Sequence, residues 1–218
     1  MKLSFKNWIF KIVLNLLGLF LCSFGIVLLI ESSLGASPWD VFQVGMTNYV
    51  DITIGQASQI IAFIIVIINL FFKVIPGVGT ILNAFFVGYF IDLIYKFNIL
   101  KPESLLFKLL YFCVGMIFFG FGIVIALKAK IGVGSRDALM EVLVNLSKQS
   151  VVKIRSILEI IAGIFGIVLG GPFGIGTLVA AFSLGYIINF AAKILDYEFD
   201  AYNHYTLKDS YLKYKSII

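Results

Sequence analysis

Charged residues are scarce in this chain. They make up 13% of its 218 residues, about half the share of roughly 25% found in soluble domains. A surface facing water needs more charge than this, and the mean hydropathy is +1.04, so a soluble globular fold is excluded. Cysteine is limited to Cys22 and Cys113, both inside apolar runs. They read as small buried hydrophobes, which excludes a disulfide framework or a thiolate metal site. His204 is the single histidine and lies in a polar tail. There is no HExxH, no G-x-S-x-G, no Cys/His cluster and no pair of carboxylates at helical spacing within an apolar run. The sequence therefore points to no metal, no cofactor and no catalysis, and an enzyme is not expected. The 17 Lys and Arg are scattered between apolar runs, so the net charge of +5 is not a nucleic-acid footprint.

What the chain does have is long apolar runs. A bilayer core of about 30 Å takes about 20 apolar residues of helix to cross. Six runs qualify, near 10–30, 54–72, 78–95, 106–127, 152–170 and 175–194. Lys2, Lys6 and Lys11 precede the first in the manner of a signal peptide. The run from Ile12 to Ile30 exceeds a typical signal core, however, and is taken as a retained span. With the N-terminus in the cytoplasm, about 14 of the 17 basic residues fall inside and only Lys96, Lys101 and Lys108 fall outside. The expectation is one membrane domain over residues 1–218, with both termini cytoplasmic and residues 195–218 as a cytoplasmic tail.

Two segments between runs are longer than turns and carry helical patterning. Pro38–Val50, with the residue that follows it, places Asp40, Gln43, Thr47 and Asp51 at spacings of 3, 4 and 4, and Ser135–Lys148 places Asp137, Glu141 and Lys148 on a similar stripe with Asn145 near its edge. At about 13 residues, or about 20 Å, neither spans a bilayer alone.

A shift of 97 residues lays the second half on the first without a gap. Gly35, Asp40 and Asn48 meet Gly132, Asp137 and Asn145, and Gly77, Gly79 and Thr80 meet Gly174, Gly176 and Thr177. Thr80, Ala84, Gly88 and Asp92 form a four-residue stripe matched by Thr177, Ala181, Gly185 and Asn189. The units, near 11–95 and 106–194, each hold three spans and one short helix. Three is odd, so the units lie in opposite orientations, as in many transporters. The predicted fold is an all-α polytopic membrane protein of six transmembrane helices, built as two inverted-topology repeats of three spans plus one short re-entrant or interfacial helix each. The small-residue stripe reads first as a crossing of spans three and six at the pseudo-two-fold axis. The alternative is a polar path with Asp92 at one end and Asn189 at the other.

The stretch Ser37-Pro38-Trp39-Asp40 suits a helix start, with Ser37 as N-cap, Pro38 at the first position and Asp40 placed for a capping box. Ser135-Arg136-Asp137 keeps only the Asp. Capping alone explains both. Two further readings stay open: re-entrant half-helices whose N-termini and carboxylates meet near the midplane, and helices lying in the interface with Trp39 as anchor. Gly35 and Gly132 would permit the turn before each helix. The Gly77, Gly79, Thr80 and Gly174, Gly176, Thr177 segments read as tight turns with a Thr N-cap rather than phosphate loops, since no Lys follows either. Glu159 lies inside the fifth run, where an ionisable group is a functional suspect, and Arg155 at i−4 can pair with it. Its counterpart is Ala62, so the charge is not part of the duplicated plan.

The patterns G-x-S-P-W-D-V, P-G-x-G-T-x-x-N-A, G-x-G-x-R-D and G-x-G-T, at residues 35–41, 76–84, 132–137 and 174–177, resemble the YczE/YyaS/YitT family of small bacterial integral membrane proteins. The resemblance covers nearly the whole chain apart from the first ten and last twenty residues. It implies a multi-pass protein of the bacterial plasma membrane and brings no substrate. Ser135 departs from the Thr or Gly of the common pattern.

The residues together favour a transporter or channel-like permease for a small solute or ion. Asp40, Asp137, Asn48, Asn145, Trp39, Arg136, Glu159, Asp92, Asn189, Thr80 and Thr177 are candidates for its path. The competing reading is an accessory or substrate-binding membrane subunit, docked to a membrane complex through its Tyr-rich tail; a stoichiometric partner would favour it, and a homo-oligomer alone would favour the transporter.

Overall fold

The computed structural model describes residues 5–97 and 101–198, and their regular structure is helical throughout. The elements are α1 (Phe5–Glu31), α2 (Pro38–Thr47), α3 (Ile54–Phe71), α4 (Val78–Tyr95), α5 (Leu105–Lys128), α6 (Ser135–Ser147), α7 (Val151–Val168) and α8 (Ile175–Ile194). All six long runs and both short segments have become helices. Five of them, α1, α3, α4, α5 and α8, are long and apolar enough to cross a membrane. α7 is not among the five, because its 18 residues include Lys153, Arg155 and Glu159. The expected tail beyond Glu198, with His204, lies outside the described residues.

The outward faces are apolar to a degree water would not tolerate. Phe71 is 82% exposed and Phe182 78% exposed, among many Ile, Leu and Phe on the same surfaces. Such continuous patches mark a surface meant for lipid.

Helix starts recur at the interval found in the sequence. Pro38 and Ser135, Ile54 and Val151, and Val78 and Ile175 open α2/α6, α3/α7 and α4/α8, each pair 97 residues apart. The left-handed backbone positions follow the same interval: Ser33 with Lys130, Gly35 with Lys130's second neighbour Gly132, and Lys73 with Gly170.

α1 and α5 form the centre, packed along their lengths and antiparallel. Gly18 lies against Gly122 and Ala126, and Gly25 against Gly115 and Phe119, so close that a Cβ on either glycine would meet backbone of the other helix. Asn15 Nδ2 donates to the Ala126 carbonyl (3.1 Å) and Cys22 Sγ to the Phe119 carbonyl (3.7 Å). Cys22 is buried as expected, whereas Cys113 is exposed on the apolar outer surface. The central crossing therefore belongs to the first and fourth runs, not to the third and sixth. α4 packs on α3 and α1, and α8 on α5. The α4 stripe serves the α3 contact instead, with Gly88 against the Gly55 backbone.

Candidate functional site

The two short helices begin deep within the bundle. Before α2 the chain turns at Gly35 (φ +120°), and before α6 at Gly132 (φ +145°), values that side chains rarely adopt. Each loop is pinned by the start of the opposite half's last helix. Gly176 N–H donates to the Leu34 carbonyl and Gly79 N–H to the Ile131 carbonyl, both at 2.8 Å. Thr80 Oγ1 adds a bond to the Val133 carbonyl (2.7 Å) and accepts from Gly77 N–H (3.2 Å), and Thr177 Oγ1 accepts from Gly174 N–H (3.3 Å). The threonines are thus third residues reaching back to glycine N-caps, Gly77 and Gly174, rather than N-caps themselves. Gly77, Gly79, Gly174 and Gly176 allow this close docking. The left-handed turns themselves are at Gly35 and Gly132.

The α2 cap forms as expected in part. Ser37 Oγ accepts from Asp40 N–H (3.4 Å), with Pro38 at the first position. The reciprocal bond of a capping box is absent. Asp40 Oδ2 accepts instead from the Ser37 hydroxyl (2.5 Å). Asp40 and Gln43 are fully buried, and Asp40 Oδ1 and both polar atoms of Gln43 have no partner among the described residues. α6 differs at the equivalent place. Its N-cap is Gly134, which has no side chain to cap with.

Between these helix starts lies a cavity of about 160 Å³ bordered by all eight helices. Its wall repeats at the same interval of 97: Cys22 and Phe119, Ile26 and Ile123, Ser37 and Gly134, Pro38 and Ser135, Trp39 and Arg136, Ser58 and Arg155, Ala62 and Glu159, Asn83 and Ala180, Val87 and Leu184. Trp39 and Arg136 hold equivalent positions in the two halves and touch each other, the guanidinium carbon 4.7 Å from the ring centroid. A cation over an indole face at that distance contributes about 0.5–2 kcal/mol. Arg136 also lies within electrostatic reach of Asp40, Asp137 and Glu159. Asp137 and Glu159 reach the cavity, and Glu159 accepts from Arg155 Nε at 3.2 Å as the i, i+4 spacing predicts.

The remaining predicted site residues lie elsewhere. Asn48 donates to the Leu169 and Gly170 carbonyls (2.9 and 3.2 Å) and so closes the C-terminal end of α7. Asn145 is exposed on the last turns of α6. Asp92 accepts from Thr53 Oγ1 (2.6 Å) and Gly55 N–H (3.0 Å), which ties α4 to the start of α3. Asn189 is exposed, and neither it nor Asp92 lines the cavity described above. Thr80 and Thr177 are buried in loop docking. Sequence reasoning did not place Ser58, Asn83, Ser135 and Arg155 in the wall. The same interval held the signal for two of them, since Ser58 pairs with Arg155 one turn from Glu159.

The halves also differ in how their last two long helices pack. α3 and α4 are closed on each other through Gly55 and Gly88, Asp92, and a bond from Gln59 Nε2 to the Phe85 carbonyl (2.8 Å). α7 and α8 have no such closure. Val152 stands where Gly55 stands in α3, and Gly185, the counterpart of Gly88, faces open space.

Comparison with known proteins places this architecture. The chain is 33% identical over 178 residues to "Uncharacterized membrane protein YczE" of Bacillus subtilis (strain 168), covering 80% of this chain and 81% of that protein. It is 33% identical over 181 residues to an "Uncharacterized protein" of Haemophilus influenzae (strain ATCC 51907 / DSM 11121 / KW20 / Rd), covering 83% and 82%. It is 31% identical over 187 residues to "Uncharacterized protein YyaS" of Bacillus subtilis (strain 168), covering 84% and 92%. No solved structure matches. Residues 9–193, which include all the cavity-lining positions, match a single family model, and the chain belongs to that family, the "Family of unknown function (DUF6198)", together with the YczE and YyaS resemblance read from its motifs.

Proposed function

We propose that this protein is a small-solute transporter of the plasma membrane, built as two inverted repeats of three spans and one re-entrant helix, with both termini in the cytoplasm and no enzymatic activity. The carrying observation is the cavity whose wall consists mostly of residue pairs 97 apart, drawn from both halves. The antiparallel packing of α1 against its counterpart α5 is the relation an inverted pair requires. α7 is the sixth span in this reading. It begins and ends 97 residues after α3, and its charges face the cavity at Arg155 and Glu159, where an ionisable group is tolerated. The starts of α2 and α6 then lie within the membrane and border a polar cavity, the one setting in which irregular backbone is allowed at that depth.

The difference between the halves supplies a transport cycle. The cavity is closed where α3 meets α4 and loose where α7 meets α8. Exchange of these two states by near-equivalent halves exposes one central site alternately to each face. Reconstitution into liposomes tests the reading. Uptake of at least one member of a broad solute and ion panel is expected, with loss on Arg136→Gln. A protein that moves nothing from that panel sinks it.

A further inference from the structure

The cavity exposes two groups of opposite charge that have neutralising charges within reach, Asp40 and Glu159 for Arg136 and Arg155 for Asp137, but no direct ion pair. Arg136 and Asp137 are neighbours in the first turn of α6, so their side chains leave the helix about 100° apart and do not face each other. Both line the cavity. Among the described residues neither makes a hydrogen bond or an ion pair, while Arg155 and Glu159 satisfy each other at 3.2 Å. The Trp39 ring holds the guanidinium by its face and leaves its N–H edge free to donate. The backbone N–H groups of Ser135, Arg136 and Asp137 add further donors, because Gly134 caps none of them. Where the first half has the Ser37 hydroxyl on the Asp40 amide, the second half has an uncapped helix end beside a guanidinium.

We infer that the solute is a small zwitterion, whose anionic group takes the Arg136 guanidinium and the uncapped α6 amides while its cationic group takes the Asp137 carboxylate. This rests on the cavity being the solute site of the transport reading, and deepens it. Asp137 is exposed to the cavity and Arg136 half-buried, so both are hydrated until a solute fills the space. A simple anion then strips water from the Asp137 carboxylate without replacing it, and a simple cation does the same to Arg136. The volume of about 160 Å³ is well below the roughly 300–1,000 Å³ of pockets for drug-sized ligands, so the zwitterion is of free amino-acid or betaine size. The apolar wall of Ile26, Ile123 and Leu184 suits a short aliphatic portion.

Equilibrium binding to the purified full chain in detergent tests the class independently of flux. The probes are L-alanine, β-alanine and glycine betaine against sodium propionate and ethylammonium chloride, read by thermal unfolding. A zwitterion at a hundredfold excess over its Kd is expected to raise Tm by about 5–10 °C, and the single-charge probes to leave it unmoved. Asp137→Asn is expected to transfer the response to propionate, and Arg136→Gln to transfer it to ethylammonium. These exchanges of preference distinguish a binding role from mere loss of fold. Stabilisation of the parent protein by propionate or ethylammonium alone, or by none of the five, overturns the inference. Flux of a single-charge solute in liposomes would leave the transport reading standing without it. Zwitterion binding without flux would do the reverse.

Discussion

At the scale of single residues, the positions that look alike in sequence have divided between support and site. Gly35 and Gly132 are supports of a strict kind. Their φ values of +120° and +145° suit glycine, and a Cβ at either would also meet Thr177 or Thr80 of the opposing loop. Backbone held in such a region by a residue with a side chain costs about 1–3 kcal/mol. Gly35→Ala and Gly132→Ala are each expected to lower Tm by about 2–12 °C, at about 2–4 °C per kcal/mol for a chain of this size. The measurement is thermal unfolding of the purified protein. Unchanged stability in either variant would show that the loop adopts another backbone path. Asp40 and Asp137 divide more sharply. The first is sealed against Ser37, the second open to the cavity, although each follows its turn glycine by five residues and stands third in its short helix.

At the scale of elements, the closed α3–α4 contact is the one joint with no counterpart in the other half. Valine at position 55 would meet the Gly88 carbonyl and the Asp92 carboxylate, and valine is the residue α7 already carries at position 152. Gly55→Val is therefore expected to part α3 from α4, with loss of the Asp92 and Gln59 bonds. If the joint is one of two states, the fold survives and the cavity becomes reachable from that side. A cysteine placed at Ser58, which is 4% exposed, is expected to react with a maleimide faster in the Gly55→Val background, once Cys22 and Cys113 are replaced. Equal rates with a collapse in Tm would mean that the joint is fixed structure.

Much of this was legible beforehand. The eight helices follow from apolar period and capping residues, and the interval of 97 was carried by Gly, Asp, Asn and Thr rather than by the interchangeable Ile and Val. Pairing of helices was not legible. The stripe on α4 and the glycines of α1 both permit close approach, and nothing local says that Gly18 and Gly25 meet α5 while Gly88 meets α3. The cavity wall was only half visible for a related reason. Asn48 and Asn145 share the register of Asp40 and Asp137, yet they sit at the far ends of α2 and α6. Register fixes equivalence between halves, not distance from the axis.

At the scale of the whole molecule, the decisive question is whether α7 crosses. Its three charges keep it from the apolarity of the other five, and a chain with five crossings has its ends on opposite faces. Yet Lys153 and Arg155 stand in its first turns, within reach of the interface, and Glu159 is paired with Arg155. An isolated charge at a helix centre costs about 2.5–3.5 kcal/mol on insertion scales, and an ion pair bordering a polar cavity removes most of that cost. The remaining 18-residue length equals that of α3, which does qualify as a span. Six crossings with both ends inside also place Lys101 outside and the α6–α7 connection at Lys148–Ser150 inside. Single cysteines at positions 101 and 149, in a chain with both native cysteines replaced, are expected to separate cleanly in intact cells. An impermeant maleimide should label the first and spare the second, and an epitope at each terminus should stay protected from external protease until the cells are broken. An exposed C-terminal epitope would remove α7 from the membrane and the inverted pair with it, whereas labelling at 149, which precedes α7, would overturn the orientation of the four crossings before it.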